Sequence, residues 1–159
     1  MKTAIICPSP LLSLFGNTPD NYHLVLSQLI LDSKQYREYY QERAEAGDFI
    51  ILDNMAHEGG VGRGVDHIME VWNLVPATEI VLPDRLFFGG DTLRKSSEAL
   101  KVFREKLPKK VQFMGVPQGR TLREWGDCLR GLRDIGVDTI GISKDYEVWS
   151  KGLLGLVEM

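Results

Sequence analysis

Short apolar runs, each closed by a polar or proline-bearing turn and most followed by a segment of helical spacing, recur five times along this chain. The clearest is Phe49-Ile50-Ile51-Leu52, which shows no polar alternation and so has the pattern of a strand covered on both faces, the mark of a parallel sheet. Residues 3–7 (Thr3-Ala4-Ile5-Ile6-Cys7) form the first such run and are closed by Pro8 and Pro10, which suit neither a strand interior nor a helix. The third, Glu79-Ile80-Val81-Leu82, stops at Pro83-Asp84; the fourth spans residues 111–116 and the fifth residues 138–143.

Between these runs the apolar spacing turns helical. From Asn21, Leu26, Leu29 and Ile30, and then Tyr36, Tyr39 and Tyr40, predict one long or broken helix ending near Gly47. Val65, Ile68, Met69 and Trp72 predict a second helix behind a glycine-rich loop at residues 59–64. Leu93, Ser97, Leu100, Phe103 and Leu107 define a third. Thr121-Leu122-Arg123-Glu124 forms a capping box, opening a fourth helix with Leu122, Trp125, Leu129, Leu132 and Ile135 inward and Gly136 at its end.

Strict alternation of strand and helix implies an α/β fold on a parallel sheet. The chain has 159 residues, which is the length of a single domain over residues 1–159. Five units in this length suit a flavodoxin-like open sheet, because a complete (β/α)8 barrel takes about 250 residues. With 43% hydrophobic and 26% charged residues the chain can bury a core, and no apolar run reaches the roughly 20 residues of a membrane span. The N-terminal apolar stretch is too short for a secretory signal, so the expected compartment is the cytoplasm. Cys7 and Cys128 lack metal-site spacing and read as buried thiols. Nineteen basic against 22 acidic side chains give a net charge of -3, so any contact with nucleic acid requires a local patch.

In α/β folds of either architecture, ligands sit at the carboxyl ends of the strands. Four consecutive runs here end in groups able to bind a heterocycle or move a proton: Asp53-Asn54 with His57 and Glu58, then Asp84-Arg85, Gln118-Gly119-Arg120, and Gly141-Ile142-Ser143-Lys144. The loop Gly60-Val61-Gly62-Arg63-Gly64 lacks the lysine and hydroxyl of a phosphate-binding loop, so a nucleotide-driven motor is not expected. His57-Glu58 lacks a second histidine four residues on, which leaves a protease-type zinc site without support; His23 and His67 read as helix-surface or helix-packing residues.

Taken in order, Phe49-Ile50-Ile51-Leu52-Asp53-Asn54-Met55-Ala56-His57-Glu58, Ile80-Val81-Leu82-Pro83-Asp84, Phe113-Met114-Gly115-Val116-Pro117-Gln118-Gly119 and Thr139-Ile140-Gly141-Ile142-Ser143 resemble the tRNA-guanine transglycosylase superfamily. The branch most similar is the one of phages and bacterial DNA-modification clusters that inserts 7-deazaguanines into DNA. The resemblance covers roughly residues 3–145. It implies a (β/α)8 barrel that exchanges guanine in DNA or tRNA for a queuosine-type deazapurine through a covalent enzyme-sugar intermediate. On that resemblance Asp53 is the first-motif aspartate implicated in proton transfer, with Asn54 beside it in the base pocket. Asp84 is the carboxylate, and Gln118 with Gly119 the glutamine segment, that bind the guanine-like edge, while Gly141 and Ile142 form the floor beneath the base. Asn54, Met55 and Ala56 stand where the family has small residues, and His57 near an aromatic position.

The resemblance also implies that the family's nucleophilic aspartate and zinc ligands belong beyond Met159. This chain would then hold five of eight barrel units, with no cofactor of its own. Base exchange at an anomeric carbon needs one carboxylate as nucleophile and an acid or base for the departing ring; Asp53 suits the second part. A base must leave its stack for Asp84 and Gln118 to read its edge. Arg85, Arg120, Arg123 and Lys144 would contact phosphates, unless they serve as ordinary ion pairs such as Arg123 with Asp127. The run Lys101, Arg104, Lys106, Lys109, Lys110 reads as a solvated face. Two other readings of the chain are a non-catalytic binding or inhibitory relative that lost its nucleophile, and a small α/β enzyme acting on another nucleotide or sugar. A five-unit arc leaves strand edges unpaired and interior apolar side chains in water, with the tail at residues 148–157 available to fill part of the gap. The chain is therefore expected to self-associate or to join a second polypeptide that completes the barrel, and not to exchange bases alone; light scattering at micromolar concentration checks this, and a closed, fully paired monomer would refute it.

Overall fold

The computed structural model describes residues 3–15 and 21–146. After a 3-10 turn at Ser9–Leu11 and a short helix α1 (Leu12–Phe15), the chain runs β1 (Tyr22–Leu26), α2 (Ser27–Asp32), α3 (Lys34–Glu45), β2 (Phe49–Asp53), α4 (Ala56–Gly59), α5 (Val65–Leu74), β3 (Glu79–Val81), α6 (Gly89–Lys106), β4 (Gln112–Gly115), α7 (Leu122–Asp134), β5 (Thr139–Ile140) and a 3-10 turn at Lys144–Tyr146. The five strands are all parallel and lie side by side in chain order, β1-β2-β3-β4-β5. The described residues are thus α/β with a five-stranded parallel sheet. The flavodoxin-like order 2-1-3-4-5, with its reversal, is not the one found.

Unreversed order with right-handed crossovers puts successive helices on one face of a sheet. Here α2 packs on α5, α5 on α6 and α6 on α7. The core lies between that layer and the sheet, where Val25, Ile50, Leu52, Ile80 and Phe113 meet Ile30, Tyr36, Tyr40, Ile68, Val71, Ala99, Leu100 and Phe103. Phe103 and Phe113 stack across it at 5.9 Å. On the opposite face, at alternate strand positions, Leu24, Ile51 and Met114 are only half-buried. Buried Glu79 shares that face and accepts a hydrogen bond from Thr139 Oγ1, and burial pushes its carboxyl above the ordinary range.

The first strand corrects the sequence reading. Residues 3–7 contribute one bridge, from Ile5 to His23, and the edge strand is Tyr22–Leu26, placed by the spacing inside a helix. Alternation decides the matter: His23 and Val25 turn into the core while Tyr22, Leu24 and Leu26 turn away. His23 is neither a surface nor a helix residue. It is buried and paired with buried Asp48 at 3.0 Å, a partner 25 residues away that helical periodicity cannot reveal. Cys7 and Cys128 are buried, as expected.

Smaller corrections follow from packing. Leu122 is exposed, while Trp125 and Leu132 are buried on α7 as expected and Cys128 joins them. The buried seam of α6 runs through Thr92, Ser96, Ala99, Leu100 and Phe103, leaving Ser97 half-exposed. The fifth strand pairs over Thr139–Ile140 alone, and residues 148–157 lie outside the described residues. Thr121 Oγ1 accepts from Glu124 N as a cap should, but the Glu124 carboxylate turns to Arg120 N, one residue before the cap. No helix among the described residues is long and apolar enough to cross a membrane.

Ile80 sits fully buried on the central strand, so Ile80→Ala should cost about 2–5 kcal/mol of stability. Urea unfolding checks this, and a loss below about 1 kcal/mol would contradict the placement of the core.

Candidate functional site

Three of the polar groups expected at strand ends meet in one buried network. Asp84, three residues past β3, receives Asn54 Nδ2 on Oδ1 at 2.8 Å and Gln118 Nε2 on Oδ2 at 2.6 Å. Asn54 follows β2 directly and Gln118 lies three residues past β4, so the network spans three strand ends. Neither amide can turn around. Asn54 Oδ1 accepts Ala56 N–H and its Nδ2 also donates to Leu82 O, while Gln118 Oε1 accepts from Phe87 N at 3.1 Å and Tyr146 OH at 3.0 Å. Both amides therefore present N–H to the carboxylate, which uses two of its roughly four acceptor positions.

The loops that carry these groups are zipped together by backbone. Gly62 N donates to Asp84 O, Arg63 N to Asn54 O and Leu86 N to Gly60 O, with an antiparallel bridge between Val61 and Arg85. This gives the glycine-rich loop its purpose: a Cβ on Gly62 would stand 2.9 Å from the Asn54 amide, so only glycine lets the backbone lie against it. Met55 and Phe87 are the two non-glycine residues with positive φ among those described, at 63° and 66°. Each lies within three residues of one of the strand-end carboxylates, Asp53 and Asp84, and such strain persists only where surroundings impose it, most often at functional sites. Here Asp53 Oδ2 takes the Met55 N–H, and Gln118 takes that of Phe87.

The remaining expected site residues fall into two groups. Asp53 ends β2, half-buried, near enough to Asp84 for the two charges to interact. Gly119 is bound through Tyr146, whose hydroxyl accepts from Gly119 N and has its single proton within reach of both Gly119 O and Gln118 Oε1. Gly141 packs where a Cβ would meet Met114 Sδ at 2.7 Å, while Ile142 is exposed. Arg85 and Arg120 both lie over the Phe88 ring, at 4.1 and 4.3 Å. Arg123 and Lys144 are exposed and make no ion pair among the described residues; Asp127 pairs with Arg130, not with Arg123. The basic run at residues 101–110 is a solvated face, as expected. His67 Nε2 meets Ser27 Oγ at 3.1 Å and packs α5 on α2.

Burial sets the acid-base character of the two carboxylates. Loss of hydration is the largest influence on Asp84 and pushes its carboxyl up to about 6, with the two amides pulling the other way. Asp53 is also raised, mainly by burial and further by Glu58, with the Met55 N–H and His57 opposing. Tyr146, Phe88 and Cys128, whose Sγ accepts from Gln118 N, escaped the sequence reading. Tyr146 had no periodic signal to mark it. Among the described residues no three histidine, cysteine or carboxylate side chains come together as a metal group.

Because the folded Asp84 holds its proton more tightly than an unfolded aspartate at about 3.8, its stabilising contribution is complete below about pH 4 and gone once pH rises through about 6. Wild type should therefore lose about 3 kcal/mol relative to Asp84→Asn across that window. Urea midpoints measured from pH 4 to 7 check this; parallel midpoints would show that Asp84 is not held in a desolvated state.

No protein-family model and no curated protein matches this sequence.

Proposed function

We propose that this chain is a base-recognition unit of the guanine transglycosylase type, in which Asp84 binds the edge of a guanine or 7-deazaguanine. The carrying observation is the buried Asp84 carboxylate, whose acceptors are aligned by two amides that cannot reverse. An aminopyrimidinone edge offers a ring N–H and an exocyclic amine side by side, two donors that match the acceptor positions left on a carboxylate. The second N–H of Gln118 faces no partner among the described residues and suits the carbonyl beside that edge. Adenine carries an acceptor where guanine has its ring N–H, so the same carboxylate repels it. Asp84 is 2% exposed without a ligand, so a base must displace part of its cover.

Asp53 takes the proton-handling part in this reading. Its half-buried position and raised carboxyl suit it to exchanging a proton with a departing ring. The covalent step needs a second carboxylate as nucleophile, which the resemblance assigns to a strand later than β5. The sheet is in keeping with an arc of a (β/α)8 barrel, since its strands follow chain order with the helices in one layer and a partly apolar face left over. In that proposal a second polypeptide or a second copy of the chain completes the barrel, and the extruded nucleotide comes from DNA or tRNA.

Calorimetry with free guanine and adenine tests the proposal. Guanine should bind and adenine should not, Asp84→Asn should weaken guanine by about tenfold or more, and binding should fall as pH drops through about 6 and protonation removes an acceptor. Equal affinity for the two purines would overturn it.

A further inference from the structure

Immediately beyond Asp84 the chain turns through Phe87, an aromatic residue that is 46% exposed and held at φ 66°. Both properties work against folding, since an L side chain resists that backbone and an exposed ring forgoes burial. The turn is nevertheless fixed, because the Phe87 N–H is donated to Gln118 Oε1, the amide group that also orders Asp84. Phe88 next to it carries two guanidinium groups over one ring, Arg85 at 4.1 Å and Arg120 at 4.3 Å. A guanidinium lying over an aromatic face keeps its edge N–H groups available for an oxyanion. Arg120 has no carboxylate within ion-pair distance among the described residues, and Arg85 has Asp91 at 3.6 Å.

Phe87, Phe88 and Arg120 line a groove of about 430 Å³ between the starts of α6 and α7. Its acidic residues are already engaged: Asp91 by Arg94 and Lys95 as well as Arg85, Asp127 by Arg130, and Glu124 by the Arg120 N–H. The free chemistry of the rim is therefore one exposed aromatic face and the Arg120 cation, with Arg85 beside it shared with Asp91. A base stacked on a ring with its phosphate on an arginine has that same pair of features, and a closed duplex presents no base face. We propose that Phe87 with Arg85 and Arg120, on Phe88, forms a docking platform for a single strand of nucleic acid, gripping the nucleotide next to the one whose base enters the Asp84 site. The proposal rests on the base-recognition reading for that second nucleotide, while the platform itself stands on the rim's own geometry.

Fluorescence anisotropy of the full chain with labelled single-stranded DNA, the same sequence as RNA, and the corresponding DNA duplex tests this. At least one single strand should bind more tightly than the duplex, and the preferred strand names the sugar. Phe87→Gly, which accepts the left-handed turn and keeps the backbone N–H while removing the ring, should weaken the preferred strand by about tenfold. Arg120→Ala should reduce the slope of log affinity against log salt by about 0.7, and reads the platform independently should Phe87→Gly fail to fold. Duplex binding as tight as single-strand binding, or unchanged affinity and salt slope in these variants, would overturn the platform. Strand binding that depends on Phe87 in a chain that does not distinguish guanine from adenine would retain the platform and discard the base-recognition reading.

Discussion

A carboxylate without water around it must be surrounded by donors or give up its charge, and the strand ends of this protein are arranged around that constraint. Asp84 sits 2% exposed with one amide on each oxygen, and those amides come from the ends of β2 and β4 on either side of its own strand. Each amide is in turn held by backbone N–H groups or by the Tyr146 hydroxyl. Removing any member would leave a buried donor or acceptor unpaired, and an incomplete network of this kind is worse than none. The left-handed turns at Met55 and Phe87 and the close approach at Gly62 follow from it, because each brings a backbone group or an amide to the place the network requires.

Asp53 and Asp84, two aspartates a strand apart, stand in different surroundings, and the parts proposed for them differ accordingly. Asp84 is enclosed by fixed amides and suited to holding a partner's donors, whereas Asp53 is half-buried, takes one backbone N–H and lies near His57 and Glu58. Proton exchange asks for access, and edge recognition asks for rigidity. The difference comes from where each strand stops: Asp53 is the last paired residue of β2, while Asp84 lies three residues beyond the last paired residue of β3, past Pro83.

Much of this was legible in the sequence. The four later strands and the long helices between them follow from continuous apolar runs and helical spacing, and Asp53, Asp84 and Gln118 could be named together because each follows such a run. Asn54, named only beside Asp53, is the one that joins Asp84 and Gln118 in the network. The first strand could not be read the same way. Leu24, Val25 and Leu26 fit a helix as well as a strand, and His23 pointed toward solvent until Asp48 supplied a buried partner. Tyr146 was hidden for a related reason, since its importance lies in contacts with Gln118 and Gly119 some 27 or 28 residues earlier. The sequence also could not tell that Asp84 and Gln118 bond to each other before any ligand arrives, because that depends on the register of β3 against β4.

The unreversed order of the strands also bears on how such a chain is built. Every strand pairs with the one before it, so each new strand and helix leaving the ribosome finds its dock already in place. No strand has to wait for a distant segment, which keeps the entropy of loop closure small at each step. The network at the strand ends obeys a different schedule: Asp84 gains its first amide from a residue already synthesised and its second only after β4 has emerged. Until then the nascent sheet carries a partly paired acid at its growing edge, and closure of the site reports that assembly has passed the fourth strand.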